Sequence, residues 1–185
     1  MKSKHEGYDN AKDKLLAVAA EQFTLTGVHG TSLNDIANSA GLAKGTLYYH
    51  YPAKEDLVSD VVRAHGGWVT DTILSWVESL ERDSEPSTAL MALLNELMDD
   101  PQRRKLHIVL LAESCLDDPA LAELVQNLSD TWAVMFEVGA LKLRLPEARR
   151  VRSRSGVFFS MLLGYMCRPN ISKADKEEFI EVLIG

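Results

Sequence analysis

The sequence is poor in cysteine and proline and has no long apolar segment. Its 185 residues include two cysteines, Cys115 and Cys167, which are too few for a disulfide framework or a four-thiolate zinc site. The longest nearly unbroken apolar run, residues 157–167, covers eleven residues, whereas a membrane-spanning helix needs about 18. The charged first residues lack the apolar segment of a secretory signal. We therefore expect a cytoplasmic protein without a membrane partner.

The charge balance is acidic overall but uneven along the chain. The net charge is −7, with 46% hydrophobic and 25% charged residues, a composition typical of globular rather than disordered chains. An excess of negative charge usually argues against a nucleic-acid partner. Residues 1–54, however, hold six lysines and five acidic residues, whereas residues 55–185 carry a net charge of −8. DNA binding by the first segment therefore stays open, provided that it relies on a few well-placed cations.

Apolar residues recur with a helical period, and no segment shows the clear alternation of a β-strand. Prolines separate many of the helical segments, because proline cannot sit inside a helix without breaking it. We predict helices over about 9–26, 33–40, 44–50, 54–82, 88–99, 102–115, 119–143, 147–167 and 173–184. The sequence thus predicts an all-α fold.

The segment 32–54 has the spacing of a helix-turn-helix. Ala37 is a small residue where two short helices would cross, and Gly41 tolerates the positive φ that the turn requires. Ser32 and Asp35 stand three residues apart, as in a capping box at a helix start. The inward positions of this helix pair are apolar, namely Ile36, Ala40, Leu42 and Leu47. The complete pattern is much more specific than its Ala-x-x-x-Gly-Leu core.

The run IANSAGLAKGTLYYHYPAKEDL, residues 36–57, resembles the TetR/AcrR family of bacterial transcriptional regulators. The resemblance covers about residues 12–58. It implies an all-α protein whose N-terminal three-helix helix-turn-helix domain, residues 1–53, is joined through a long helix to a helical-bundle domain, residues 54–185. It also implies a ligand-responsive repressor that binds a palindromic operator as a homodimer and is released by a small effector.

The resemblance implies which residues contact DNA, because the third helix of this family enters the major groove. Lys44 is placed to reach a base edge or a phosphate, and Lys54 begins the next helix, where free amides also suit a phosphate. Ser32 has the alternative role of a helix cap, and Tyr48 that of a core residue. The candidate DNA-contacting residues are Thr31, Ser32, Asn34, Lys44, Gly45, Thr46, Tyr48, Tyr49, His50 and Lys54.

The family's second domain binds a small effector, and bulky apolar residues on the central helices are the candidates for such a pocket here. The candidate ligand-binding residues are Trp68, Trp76, Leu97, His107, Leu111, Cys115, Trp132, Phe136, Phe159 and Leu163. An apolar lining favours a hydrophobic effector. The alternative is that these residues only fill the core.

The homodimer of this family forms through the last two long helices, here about 147–167 and 173–184. We predict a homodimer because two DNA-binding domains are needed to contact two half-sites. The apolar faces of these helices carry Val157, Phe158, Met161, Leu162, Tyr165, Phe179, Ile180, Leu183 and Ile184. The alternative is that both faces close the core of the monomer.

Two further features of the sequence lie outside the family motif. Gly66 and Gly67 fall inside the predicted helix 54–82, where each costs about 1 kcal/mol relative to alanine. They suggest either close packing or a flexible joint, and a double change to alanine is expected to stabilise the fold and blunt the effector response. A basic cluster is a solvated surface, a second DNA contact or a site for an acidic partner; it comprises Lys142, Arg144, Arg149, Arg150, Arg152 and Arg154.

Two other function classes remain as alternatives. An enzyme is disfavoured because the sequence contains no His-Glu-x-x-His, Glu-x-x-His, Gly-x-Ser-x-Gly or glycine-rich phosphate loop. The five histidines show no metal-ligand spacing among themselves, so we expect neither a metal nor a cofactor. A helical module that uses its helix-turn-helix only for protein contacts is the second alternative. Salt-sensitive, sequence-selective binding in a DNA titration distinguishes a regulator from both.

Overall fold

The computed structural model describes residues 4–116, 118–145 and 154–184, with side chains from residue 10 onward. In these ranges every regular element is a helix, which confirms the all-α prediction. None of the described helices is both long and apolar enough to cross a membrane. The helices are α1 (Lys4–Thr26), α2 (Leu33–Ser39), α3 (Lys44–His50), α4 (Lys54–Ser79), α5 (Pro86–Met98), α6 (Pro101–Ser114), α7 (Pro119–Lys142), α8 (Arg154–Met166) and α9 (Lys173–Ile184).

The starts of α5, α6 and α7 share one design. Each helix begins with a proline, whose missing amide would have no partner at this position in any helix. The preceding residue is acidic, and its carboxylate accepts hydrogen bonds from the backbone amides of the first turn; the caps are Glu85, Asp100 and Asp118. For this reason α5 starts at Pro86, two residues before the predicted start. The predicted segment 147–153 and three of the clustered arginines (Arg149, Arg150 and Arg152) lie outside the described residues.

The first three helices, called the head from here on, pack around one hydrophobic core. Ala37 is buried on α2, at the predicted crossing of the two short helices. Gly41 adopts a φ of +62° in the turn, as the motif predicts. Ser32 and Asp35 form the predicted capping box. The Ser32 hydroxyl accepts from the Asp35 amide at 3.1 Å, and the Asp35 carboxylate accepts from the Ser32 amide at 3.1 Å. The Ser32 hydroxyl also donates to the Asp35 carboxylate at 2.6 Å, and this bond and the one from the Ser32 amide lower the pKa of Asp35.

Helices α4–α9, called the body, enclose a second core that is organised by stacked aromatic rings. The Trp76 ring stacks on Phe136 with centroids 5.7 Å apart, and Phe136 stacks on Phe158 at 4.2 Å. Phe158 meets the edge of Phe179 at 5.5 Å. The indole nitrogen of Trp76 donates to the carbonyl of Ala89 at 2.8 Å. Trp76 and Phe136, two of the predicted ligand contacts, are both buried members of this stack.

The apolar faces predicted to meet a partner subunit mostly belong to the same core. The buried members are Phe158, Leu162, Tyr165, Phe179, Ile180 and Leu183. The outward face of α8 consists of small residues, Gly156, Ser160 and Gly164, and α9 exposes 59% of Val182. The apolar periodicity of the last two helices is therefore explained by closure of the monomer, and any dimer has to use their outward faces.

Head and body meet along a seam through which α4 runs. The head core continues into the first half of α4, and it is completed by Leu110 of α6 and Leu121 of α7. Lys12 of α1 forms an ion pair with Asp60 of α4 at 2.8 Å. The helix α4 ends at Ser79, three residues before its predicted end, because the backbone of the next residue is extended.

Candidate nucleic-acid interface and ligand cavity

Helix α3 presents polar and aromatic side chains outward from a firmly anchored position. Leu47 is fully buried, and the buried Tyr51 donates its hydroxyl to Asp60 at 3.2 Å. Lys44 is exposed, and Tyr48 and Tyr49 expose 46% and 72% of their surface. The helix is thus fixed from one side and presents on the other the residues that the sequence predicts to contact DNA.

No contact inside the protein explains why position 45 is a glycine. An added Cβ at Gly45 meets nothing within 4 Å, so packing inside the protein does not require a glycine. A helix interior disfavours glycine by about 1 kcal/mol relative to alanine. Thr46 and His50, which flank the same surface, are half-buried. This surface therefore stays among the candidates for close approach by DNA.

The residues near the start of α2 that are predicted to contact DNA differ in their accessibility. Ser32 is exposed and Asn34 is half-buried. The hydroxyl of Ser32 is already engaged as the cap of α2, which confirms its alternative role. Thr31 is 3% exposed, and its hydroxyl donates to the carbonyl of Gly27 at 2.8 Å. Its side chain therefore braces the turn between α1 and α2, and a phosphate contact from it stays a prediction.

The cations of this surface are few and differ in availability. Lys12 is paired with Asp60. Lys44 and Lys54 make no ion pair with the described residues of the chain. Lys54 lies at the first position of α4, next to the exposed Glu55. Lys44 and Lys54 are accordingly the ammonium groups best placed for phosphates.

A cavity of about 200 Å³ lies in the body between α4, α6, α7 and α8. Five predicted residues line it, namely His107, Leu111, Trp132, Phe159 and Leu163. Trp68 and Leu97 line a much smaller adjoining pocket. Cys115 does not belong to either, because it is the exposed residue that ends α6. The cavity borders both cores, since Val62 belongs to the head core and Trp132 to the body core.

Sequence reasoning missed several residues of the cavity wall, among them Val62, His65, Gly66, Leu128, Ser129 and Ser160. The glycine pair of α4 shows why the wall was hard to predict. An added Cβ on Gly66 comes within 2.6 Å of a methyl carbon of Leu128, whereas one on Gly67 meets nothing within 4 Å. The two glycines are therefore not equivalent, and the expectation that a double alanine change stabilises the fold holds for Gly67 alone.

Two histidines meet in the wall of the cavity. His65 Nε2 of α4 lies 3.1 Å from His107 Nδ1 of α6, within hydrogen-bond distance. Burial, the neighbouring His107 and Arg103 lower the pKa of His65 to about 3, and burial lowers the pKa of His107. Both rings are thus neutral at pH 7 and hydrogen-bond as one donor and one acceptor. Among the described residues no group of three or more potential metal ligands comes together.

Parts of the basic cluster have structural roles. Lys142 donates to the carbonyl of Val77 at 2.7 Å, close to the end of α4. Arg154 donates to the carbonyl of Leu145 at 2.6 Å and lies 3.5 Å from the carboxylate of Glu137. These two members therefore brace α7 against α4 and α8.

The comparison with known proteins agrees with the geometry of the head. Residues 15–61 match the sequence model of the family described as bacterial regulatory proteins, tetR family. The head is thus similar to the DNA-binding segment of the TetR family. The homologues and the fold are those of transcriptional regulators, which are not enzymes.

Individual TetR-family relatives extend the similarity beyond the head. The chain is 29% identical over 164 residues to the HTH-type transcriptional regulator LmrA of Bacillus subtilis, covering 85% of each protein. It is 38% identical over 76 residues to the HTH-type transcriptional repressor KstR2 of Mycolicibacterium smegmatis, covering 37% of each. The crystal structure of a TetR-family regulator from Mesorhizobium loti superposes with a TM-score of 0.73 at 23% identity, covering 96% of this chain and 94% of that one.

Proposed function

We propose that the protein is a ligand-responsive repressor that binds a palindromic operator as a homodimer and leaves it when a small hydrophobic effector enters the cavity. Residues 1–53 contact DNA, and residues 54–185 bind the effector and form the dimer. The observation that carries this proposal is the position of the cavity. Its wall includes α4, whose first half packs in the head core, and the cavity lies where the two cores meet. A ligand that shifts this wall also shifts the head.

The DNA-binding step rests on few charges. Lys44 is exposed and Lys54 half-buried, and Tyr48 and Tyr49 supply aromatic surface with hydroxyl groups. With so few cations, each phosphate contact is a large share of the electrostatic affinity. Removal of one contact lowers the dependence of log Kd on log salt concentration by about one unit of slope.

A DNA titration tests this step, with the promoter next to the protein's own gene as the first probe. We expect Lys54→Ala to weaken binding and to reduce the salt slope. The matched control is Lys173→Ala, which removes an exposed lysine of α9 that pairs with Glu177 on the same helix. If Lys54→Ala binds with unchanged affinity and slope, Lys54 does not contact phosphate.

The dimer is proposed to form through the outward faces of α8 and α9. Gly164 is exposed, and an added Cβ there meets nothing within 4 Å, so an arginine at this position leaves the monomer intact. We expect Gly164→Arg to give a monomer in light scattering and to lose operator affinity. Val134→Arg, on the exposed face of α7, is the control. Dissociation by the control alone would place the interface on α7.

The effector step is tested with the two glycines of α4. Gly66→Ala forces Leu128 to move, and because Leu128 also lines the cavity it reduces the space for a ligand. Gly67→Ala changes the same helix by the same methyl group without a contact. For a compound that stabilises the protein and releases the operator, we expect release to be impaired in the first variant and retained in the second. A 100-fold release corresponds to about 2.7 kcal/mol of coupling. Equal release from both variants contradicts the assignment of the cavity.

A further inference from the structure

We infer that the ligand of the cavity is a small, uncharged one-ring alcohol or phenol whose hydroxyl group hydrogen-bonds to the His65–His107 pair. This inference rests on the proposed effector role of the cavity and adds the chemical class of the effector. Three properties of the wall lead to it: the volume, the lack of formal charge, and the placement of its remaining hydrogen-bonding groups.

The volume of the cavity limits the ligand to about one ring. An engineered protein cavity of about 150 Å³ holds benzene, which has six carbon atoms. At about 200 Å³ the present cavity is only slightly larger. A ring with two or three additional non-hydrogen atoms matches this volume.

The wall offers no charge to a charged ligand. It contains no aspartate, glutamate, lysine or arginine among the described residues that line it. Arg103 lines the adjoining pocket and is engaged elsewhere, with its guanidinium 4.4 Å above the Trp68 ring and its Nε 3.3 Å from the Asp100 carboxylate. Both histidines are neutral, since burial lowers their pKa values. An ion would therefore leave water without gaining a counter-charge.

Apart from the exposed Ser160, the polar side chains of the described wall that keep hydrogen-bonding capacity are the two histidines. The Ser129 hydroxyl already donates to the Val125 carbonyl at 2.9 Å, and the Trp132 indole donates to the Thr70 hydroxyl at 2.9 Å. His65 and His107 each use one ring nitrogen for the other, which leaves one nitrogen per ring. Whether a remaining nitrogen donates or accepts depends on which ring holds the shared proton. A ligand hydroxyl does both, so it matches the pair in either state.

Two probes of nearly equal shape isolate this hydrogen bond. 4-Ethylphenol and 4-ethyltoluene fill the same volume, but only the first carries a hydroxyl group. With the full-length wild-type protein at pH 7, we expect calorimetry to give a Kd for 4-ethylphenol that is about fivefold to tenfold tighter, the size of one satisfied hydrogen bond. The anion benzoate and the cation 4-methylbenzylammonium have as many non-hydrogen atoms as 4-ethylphenol and are expected to bind more weakly than either neutral probe. Equal affinities for the two neutral probes overturn the role of the histidine pair.

A variant and a DNA readout complete the experiment. His107→Phe is expected to keep 4-ethyltoluene binding and to remove the preference for 4-ethylphenol; a preference that survives in this folded variant overturns the inference. Operator release is measured separately with 4-ethylphenol. Hydroxyl-selective binding without release supports the inference about the cavity and contradicts its effector role. Release by a charged compound that requires the cavity, with no binding of the neutral probes, overturns the inference and leaves the proposed function in place.

Discussion

The buried histidine of α4 makes the stability of the protein depend on pH in a calculable way. His65 is 7% exposed, and its pKa falls from 6.5 to about 3 on folding, mainly through burial. Between these two values the unfolded chain binds a proton that the folded chain does not. Stability from this group is therefore present at pH 7 and decreases as the pH falls below 6.5.

The size of the effect follows from the same two pKa values. One pKa unit corresponds to about 1.4 kcal/mol, so acidification to pH 5 lowers the free energy of unfolding by about 2 kcal/mol through His65 alone. His107 adds a loss of the same sign, because burial lowers its pKa as well. The nearby Arg103 acts in the same direction as the burial of His65.

Urea unfolding at pH 7 and pH 5 measures this loss. We expect the difference between the two pH values to shrink by about 2 kcal/mol in His65→Gln, since the variant has no proton to bind at this position. His29→Gln is the control, because the side chain of His29 is 77% exposed. If the free energy of unfolding of the wild type and of His65→Gln falls by the same amount between pH 7 and pH 5, the assignment of His65 as buried and neutral is wrong.

Three further outcomes follow from the packing. Gly67→Ala is expected to raise the free energy of unfolding by about 1 kcal/mol in urea, because the new methyl group meets nothing within 4 Å; a loss would mean that the helix is distorted there. Phe136→Ala is expected to cost about 3 to 5 kcal/mol, since the ring is fully buried between two others. A drop below 1 kcal/mol in thermal unfolding would show that the stack is not central. Tyr49→Ala is expected to leave stability within about 0.5 kcal/mol while weakening operator binding; unchanged binding removes Tyr49 from the interface.

The helices were predictable from the sequence because their ends depend on residues that are close together in the chain. The third helix runs from Lys44 to His50 as predicted, since the turn at Gly41 precedes it and Pro52 follows it. The capping box at Ser32 and the positive φ at Gly41 were also predicted from the residue types alone. These features depend on neighbours within a few residues, so periodicity and cap preferences suffice to find them.

The cavity was only partly predictable, because helical periodicity identifies the inward face of a helix but not what that face meets. Phe136 and Trp132 both lie on the inward face of α7, yet the first is stacked between rings and the second borders open space. The pair of His65 and His107 is 42 residues apart in the chain, and its contact exists only once α4 and α6 pack together. The structural role of Thr31 was missed for a related reason, because its hydroxyl donates to a carbonyl across a turn.

The way in which Leu110 and Leu121 complete the head core limits how this protein can be recombined with others. The DNA-binding segment lacks part of its own apolar interior, and the missing side chains come from helices more than fifty residues farther along the chain. A chimera that joins residues 1–53 to another body inherits a gap wherever that body lacks matching side chains. Grafting this head onto a new sensor therefore requires the first half of α4 and the facing surfaces of α6 and α7 to be transplanted with it.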